Sequence, residues 1–267
     1  MLNKITILFI SIFFLTGCVK QSTLVSVNVP IDEIEPEIVV SSPDNTNTNT
    51  KVNGVNAVGD NTEETISPVT VEIPNKLELD VDFAPQAPFG NWNELYEEAC
   101  EEASMVIVAK YFAGELLDES VMEQEIEKLD SWEKARGYKI DLSVTQTANV
   151  LREYYGLTTK IVNEVTVDRI KYELSRGNLI IVPAAGRELE NPYFRAPGPI
   201  YHMLVIKGYD NNEFITNEVG TKRGDGFKYK YQQLIDAVHD WDPSWYHSAV
   251  TNEQMESQPK RMIVVSK

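Results

Sequence analysis

Hydrophobic positions along this chain come in three regimes. Residues 5–15 are nearly all apolar and follow a single positive side chain, Lys4. From Val19 to about residue 76 the apolar positions are Val and Ile scattered among Ser, Thr, Asn, Pro and Glu, with no periodicity and no aromatic residue. From Leu77 onward the pattern becomes regular. Lys76 to Phe83 alternates charged and apolar side chains, the period of a half-buried strand. Residues 84–92 are rich in Pro and Gly and read as a loop. A short turn is expected over Asn93 to Glu98, and then a main helix from near Cys100 through Phe112. Residues 118–136 form an amphipathic helix with Val121, Ile126, Leu129 and Trp132 on one broad face, closed by Gly137. Ser143-Val144-Thr145-Gln146 matches a capping box and opens a helix that ends at Gly156.

The second half of this region is strand-rich. Leu157 to Val162 reads as a strand, Thr166 caps a helix ending at Gly177, and Leu179 to Val182 reads as a buried strand stopped by Pro183. Residues 184–199 form a long loop holding three prolines and two glycines, a length that in a compact domain is often functional. Strands follow at 200–207 and 213–219 around a turn at 208–212, then an extended Lys228 to Tyr231, a short helix over 232–239 and a last strand at 261–265. Helices first and mostly antiparallel strands afterwards make an α+β domain. The expected organisation is a leader over 1–18, a disordered tether over 19–76 and one folded domain over 77–267. The rival reading of the tether is a small strand-rich domain built on its Val and Ile. As a flexible chain of ~60 residues the tether has a reach of roughly 40–50 Å.

The leader adds a location. Its apolar run is too short for a comfortable membrane span, which needs ~20 residues. It ends in Leu15-Thr16-Gly17-Cys18, which resembles the lipobox of bacterial lipoproteins. That resemblance implies lipid on the Cys18 thiol, cleavage before Cys18, and a domain anchored on the outer face of the plasma membrane. An uncleaved signal anchor with an incidental cysteine is the alternative. The formal net charge of −17 argues against nucleic acid as a partner and against the body lying on anionic lipid.

Cysteine usage points to chemistry. The chain has two cysteines, so with Cys18 lipidated Cys100 is the one free thiol of an exported protein. It stands at the expected start of the main helix, where the helix dipole favours a thiolate. Glu97, Glu98, Glu101 and Glu102 favour the neutral thiol instead, unless their side chains point to solvent. A buried, inert cysteine is the bland alternative. His202 lies 202 − 100 = 102 residues downstream, at the mouth of the long loop. His239 and His247 are read as structural. No metal-binding His-Glu-x-x-His, nucleophile elbow or phosphate-binding Gly loop is present, and no metal or cofactor is expected.

Pro85-Gln86-Ala87-Pro88 with Asn91-Trp92, then Cys100-Glu101-Glu102-Ala103-Ser104, Tyr201-His202, Gly208-Tyr209-Asp210, and Asn217-Glu218 with Gly220-Thr221-Lys222-Arg223-Gly224 together resemble the C39-like cysteine peptidases, a papain-like fold. The resemblance covers about residues 77–245. It implies Cys100 as nucleophile and His202 as its base. The family orients its histidine with an Asp of an Asn-Asp-Pro stretch. Here Glu218 takes that register, and Asn217 is the fallback, pointing to the opposite face of a regular strand. Gln86 matches the oxyanion-hole glutamine, with the Cys100 backbone N–H as second donor, although an ordinary loop glutamine would look the same. Trp92 and Tyr201 either line the cleft or simply pack. The implied activity is amide hydrolysis of a peptide or peptidoglycan-like substrate, and the chain is expected to act as a monomer. A cell-wall amidase or endopeptidase, or a degenerate peptide-binding domain, are the rival readings.

Overall fold

The computed structural model describes residues 73–245 and 250–267. The leader, Cys18, the tether up to residue 72 and His247 lie outside the described residues. Among the described residues no helix is long and apolar enough to cross a membrane.

The strands are β1 (Lys76–Glu78), β2 (Thr158–Val162), β3 (Leu179–Ala185), β4 (Tyr201–Asp210), β5 (Glu213–Asn217), β6 (Phe227–Lys230) and β7 (Met262–Ser266). They form one antiparallel sheet in the order β2-β7-β3-β4-β5-β6, with β1 added onto β4. The helices are α1 (Cys100–Ala113), α2 (Glu119–Lys134), α3 (Val144–Tyr155), α4 (Val167–Ser175), α5 (Tyr231–Ala237) and α6 (Asn252–Glu256). The domain is thus α+β, as the alternation of patterns predicts.

Both faces of the sheet are covered. Leu179, Ile181, Met203, Val205, Ile263 and Val265 pack into one core with α1, α2 and α3. Their neighbours Ile180, Val182, Leu204, Ile206, Met262 and Val264 pack into a second core with residues of α4 and α5. Period-two alternation here separates two apolar sets, which explains why these strands read as continuous hydrophobic runs. α1 is the central helix. Its residues Cys100 to Ala109 are all buried, so it has no polar face and no amphipathic signature.

Local rules account for most element ends. Asp118 accepts the Val121 N–H at 2.8 Å and caps α2. Ser143 and Gln146 form the full capping box of α3, and Thr166 caps α4. Three expectations shift. The first strand ends at Glu78 rather than running to Phe83, because beyond it only the Leu79 N–H bonds back to the Lys207 carbonyl. Pro183 does not stop β3: pairing with β7 ends at Ile181, so Pro183 lies where that side of the strand has become an edge. Finally, the buried stripe of α2 is Met122, Ile126, Leu129 and Glu133, one residue round from the expected face. The folded part also begins slightly upstream of Leu77, since Ile73 is buried and the Pro74 carbonyl accepts the Tyr209 hydroxyl at 2.9 Å.

Glu133 brings a carboxyl into the joint between α2 and α1, where it is hydrogen-bonded to Glu102. With both groups ionised, Glu102 Oε2 and Glu133 Oε1 would be buried acceptors lacking a donor. One shared proton removes that conflict. Burial and mutual repulsion accordingly hold Glu133 above the usual carboxylate range, and burial does the same to Glu102. A carboxyl that keeps its proton in the fold but releases it on unfolding makes stability fall as pH rises. The loss starts near the ordinary value of 4.5 and continues until the folded pair ionises. The domain should therefore melt higher at pH 5 than at pH 8. Glu133→Gln keeps a donor for Glu102 and should raise the pH 8 melting temperature by several degrees, on a scale of ~1.4 kcal/mol per pKa unit relieved. A thermal scan at the two pH values checks both the slope and its flattening in the variant.

Candidate active site

The end of the sheet where β4 begins opens into a cleft of about 720 Å³. Gln86, Trp92, Glu97, Glu98, Cys100 and Asp141 line one side, and residues 193–202 with Gly220 line the other. Cys100 and His202, far apart in sequence, thus reach the same cavity.

His202 stands near the start of β4 and is 2% exposed. Its Nε2 lies 2.5 Å from Glu218 Oε1. Phe194 packs edge-on against its ring at 5.3 Å between centroids. With Nε2 engaged, Nδ1 is the nitrogen available to the cleft. Glu218 follows β5 directly and is fully buried. Its carboxylate has three partners. Oε1 also accepts the Gly220 N–H at 2.9 Å, and Oε2 accepts the Tyr229 hydroxyl at 2.8 Å. Asn191 donates in turn to the Tyr229 oxygen at 2.7 Å. A buried carboxylate this fully bonded is a fixed acceptor for the imidazole. Glycine is required around it: a Cβ on Gly220 would stand 3.0 Å from His202 Cε1 and 2.9 Å from Phe194 Cε1, and one on Gly224 would sit 1.8 Å from the Glu218 carbonyl oxygen.

Asn217 faces the other way. Its Nδ2 donates to the carbonyls of Asp82 at 2.9 Å and Val81 at 3.4 Å, so it ties down the segment leading to the Gln86 loop. The pleat therefore separates the two candidates: the structure puts Glu218 against His202 and turns Asn217 away.

Cys100 is the first residue of α1 and is 6% exposed. Ala99, the N-cap, supplies no side-chain hydrogen bond; the Glu102 N–H is taken by its own carboxyl, and the N–H groups of Cys100 and Glu101 are left as potential anion donors. The thiol itself donates to Glu101 Oε2 at 2.9 Å. Among the described residues its hydrogen bond is to Glu101 rather than to His202. Burial pushes the thiol well above its ordinary value, and the charges of Glu101, Glu102 and Asp141 add to the shift. Of the four acids around the cysteine, Glu101 and Glu102 point inward and are buried, whereas Glu97 is exposed and Glu98 half-buried.

Gln86 lines the cleft, but its amide is committed. Nε2 donates to the Tyr96 carbonyl at 3.0 Å and the Glu97 carbonyl at 3.2 Å, which uses both of its hydrogens. In this arrangement Gln86 shapes the turn before α1, with both amide hydrogens engaged by backbone carbonyls. Its backbone N–H bonds the Val219 carbonyl at 2.9 Å, joining this loop to the residue after Glu218. Tyr201 both lines the cleft and packs, donating its hydroxyl to the Leu142 carbonyl at 2.7 Å. Trp92 lines the cleft and is 44% exposed. His239 bonds the Gln258 carbonyl through Nδ1 at 2.7 Å, as a structural histidine does.

Sequence reasoning missed Tyr229 and Asn191. A buried tyrosine between two lysines of a short strand was the visible sign of the first. Nothing local marks Asn191, which is brought to Tyr229 by the fold of the long loop.

A crystal structure from Bacillus anthracis, of a protein proposed to be a C39-like peptidase, is similar to this chain at 14% identity and a TM-score of 0.46, over 72% of this chain and 98% of that one. No curated protein matches. The sequence matches the Peptidase_C39 like family over residues 78–248, which takes in most of the sheet and every side chain around the cleft described above. This chain belongs to the Peptidase_C39 like family.

Proposed function

We propose that the protein is a cysteine-dependent amide hydrolase, a peptidase, that works outside the plasma membrane from a lipid anchor on Cys18. The observation that carries the chemistry is the bond between His202 Nε2 and Glu218 Oε1, which leaves Nδ1 for a cleft that Cys100 also lines. In the reaction Cys100 Sγ attacks an amide carbonyl and its proton passes to His202 Nδ1. The imidazolium is held by Glu218 and then protonates the leaving amine. The uncapped N–H groups at the start of α1 receive the oxyanion. Gln86 joins them only by releasing one of its two carbonyls. Water then cleaves the thioester. No metal or cofactor enters these steps, and one copy of the chain carries all the groups named.

The acidic, partly aromatic cleft and the extracytoplasmic anchor suit peptides and the peptide part of cell wall alike. Incubating the purified protein with a peptide library and, separately, with isolated sacculi distinguishes the two. New amino groups released from one substrate and suppressed by iodoacetamide identify the class. Release that continues after Cys100 is fully alkylated contradicts the reading. The thiol's bond to Glu101 favours a second reading, a domain that binds such peptides without cutting them. Saturable retention of peptides with no new amino groups would be its signature.

A further inference from the structure

One residue after the nucleophile stands a carboxylate that the reaction above does not use. Glu101 is 1% exposed, although it belongs to the first turn of a helix whose start opens on the cleft. Both of its oxygens are placed. Oε1 accepts the Leu142 N–H at 2.9 Å, which fixes the side chain against the segment before α3. Oε2 accepts the Cys100 thiol at 2.9 Å. The groups facing Glu101 from the surrounding elements are Cys100 and Glu102 on α1, Glu133 on α2, Asp141 ahead of α3 and Tyr201 on β4. None of these is a cation. Glu101 is therefore not paired as an ion: burial and the neighbouring Glu102 and Asp141 push its carboxyl well above the ordinary range, while the bonds from the Cys100 thiol and the Leu142 N–H pull the other way.

A carboxyl oxygen that accepts the thiol's hydrogen bond stabilises the protonated sulfur and opposes the thiolate. That is the reverse of what a histidine pair does for a cysteine nucleophile. We propose that Glu101 is a restraining residue, which holds Cys100 as a neutral thiol in the free protein, so that hydrolysis starts only when Sγ leaves Glu101 for His202. This rests on reading Cys100 as the nucleophile. The exchange is a simple proton transfer. The S–H bond breaks, the electron pair stays on sulfur, the proton goes to His202 Nδ1, and Glu101 takes no part in the transfer and keeps its bond from the Leu142 N–H. It also leaves Glu101 Oε2 as a buried acceptor without its donor, which keeps the reactive form scarce until a substrate occupies the cleft. Such a restraint suits an exported enzyme tethered among its own cell's peptides, because an idle thiolate would be oxidised or would react indiscriminately.

The test is Glu101→Gln. The glutamine carbonyl can still accept the Leu142 N–H, and its amide turns a donor toward the sulfur, which favours the thiolate. The readout is the rate of iodoacetamide alkylation at Cys100, located by peptide mass spectrometry on the full chain between pH 5 and pH 10. The variant should react at least about tenfold faster at pH 7, with its pH midpoint at least about one unit lower. An equal or slower rate overturns the proposal. The unaltered protein supplies a control that needs no variant to fold: its Cys100 should alkylate more slowly at pH 7 than a model peptide thiol, and a faster rate also overturns the proposal. Because the readout is the thiol and not turnover, loss of the peptidase reading through a hydrolytically active Cys100→Ala protein would leave this result to stand or fall by itself.

Discussion

Cys100→Ala is expected to reduce amide hydrolysis to the background of the assay, a loss of about 10⁴-fold or more, with substrate binding largely kept. The magnitude follows from the division of labour in the cleft. Without sulfur no thioester forms, and what remains is binding and oxyanion stabilisation by the first N–H groups of α1. The fold should tolerate the change. Cys100 fills little volume, and its loss removes one hydrogen bond from Glu101, which keeps the Leu142 N–H. Melting temperature should move by no more than a few degrees and circular dichroism should be unchanged, so the activity loss can be assigned to chemistry. Turnover by the alanine protein within tenfold of the parent would end the case for a thiol mechanism.

Glu218→Gln should lower kcat by about 10²- to 10⁴-fold while leaving KM within a few-fold. The carboxylate of Glu218 accepts from His202, Gly220 and Tyr229 together, and all three donors are satisfied only by an acceptor at both oxygens. Glutamine keeps one acceptor. Placed toward His202 and Gly220, it aims its amide at the Tyr229 oxygen, which already accepts from Asn191 and whose own hydrogen then has no acceptor. A folding cost of about 1–3 kcal/mol is expected from that mismatch. The kinetic cost is larger because the negative charge that stabilises the imidazolium is gone. Steady-state kinetics beside a thermal melt separates the two effects, since the folding cost shows in the melt and the loss of charge in kcat. A parent-like kcat would make Glu218 merely a packing residue.

Much of this architecture was readable from local rules. Capping at Ser143 and Thr166 set helix starts within a residue, because a cap's hydrogen bond depends only on neighbours three positions away. The same rule, applied further along, would have found α6, since Thr251 and Gln254 form a capping box like that of α3. Period-two alternation distinguished Glu218 from Asn217, and the structure sets them on opposite faces. The order of motif blocks carried the family. What stayed hidden depends on contacts across the fold. Pro183 reads as a strand breaker until one sees that β7 stops two residues earlier. Gln86 reads as a donor for an oxyanion until its two hydrogens are found on Tyr96 and Glu97. For Glu101 and Glu102 the sequence leaves open whether the side chains face the thiol or solvent. They are buried because α1 is enclosed on every side, a state that leaves no periodic mark.

The attachment of β1 to β4 has a consequence for how the domain could be cut free of the segment before it. Ile73 and Lys76–Glu78 are stitched into the sheet, with Leu77 opposite Tyr209 and Glu78 opposite Gly208. Proteolysis upstream of Ile73 would liberate a body with its sheet complete. A cut after Glu78 would instead peel a strand from the same β4 that presents His202, and the freed body would carry a weakened scaffold.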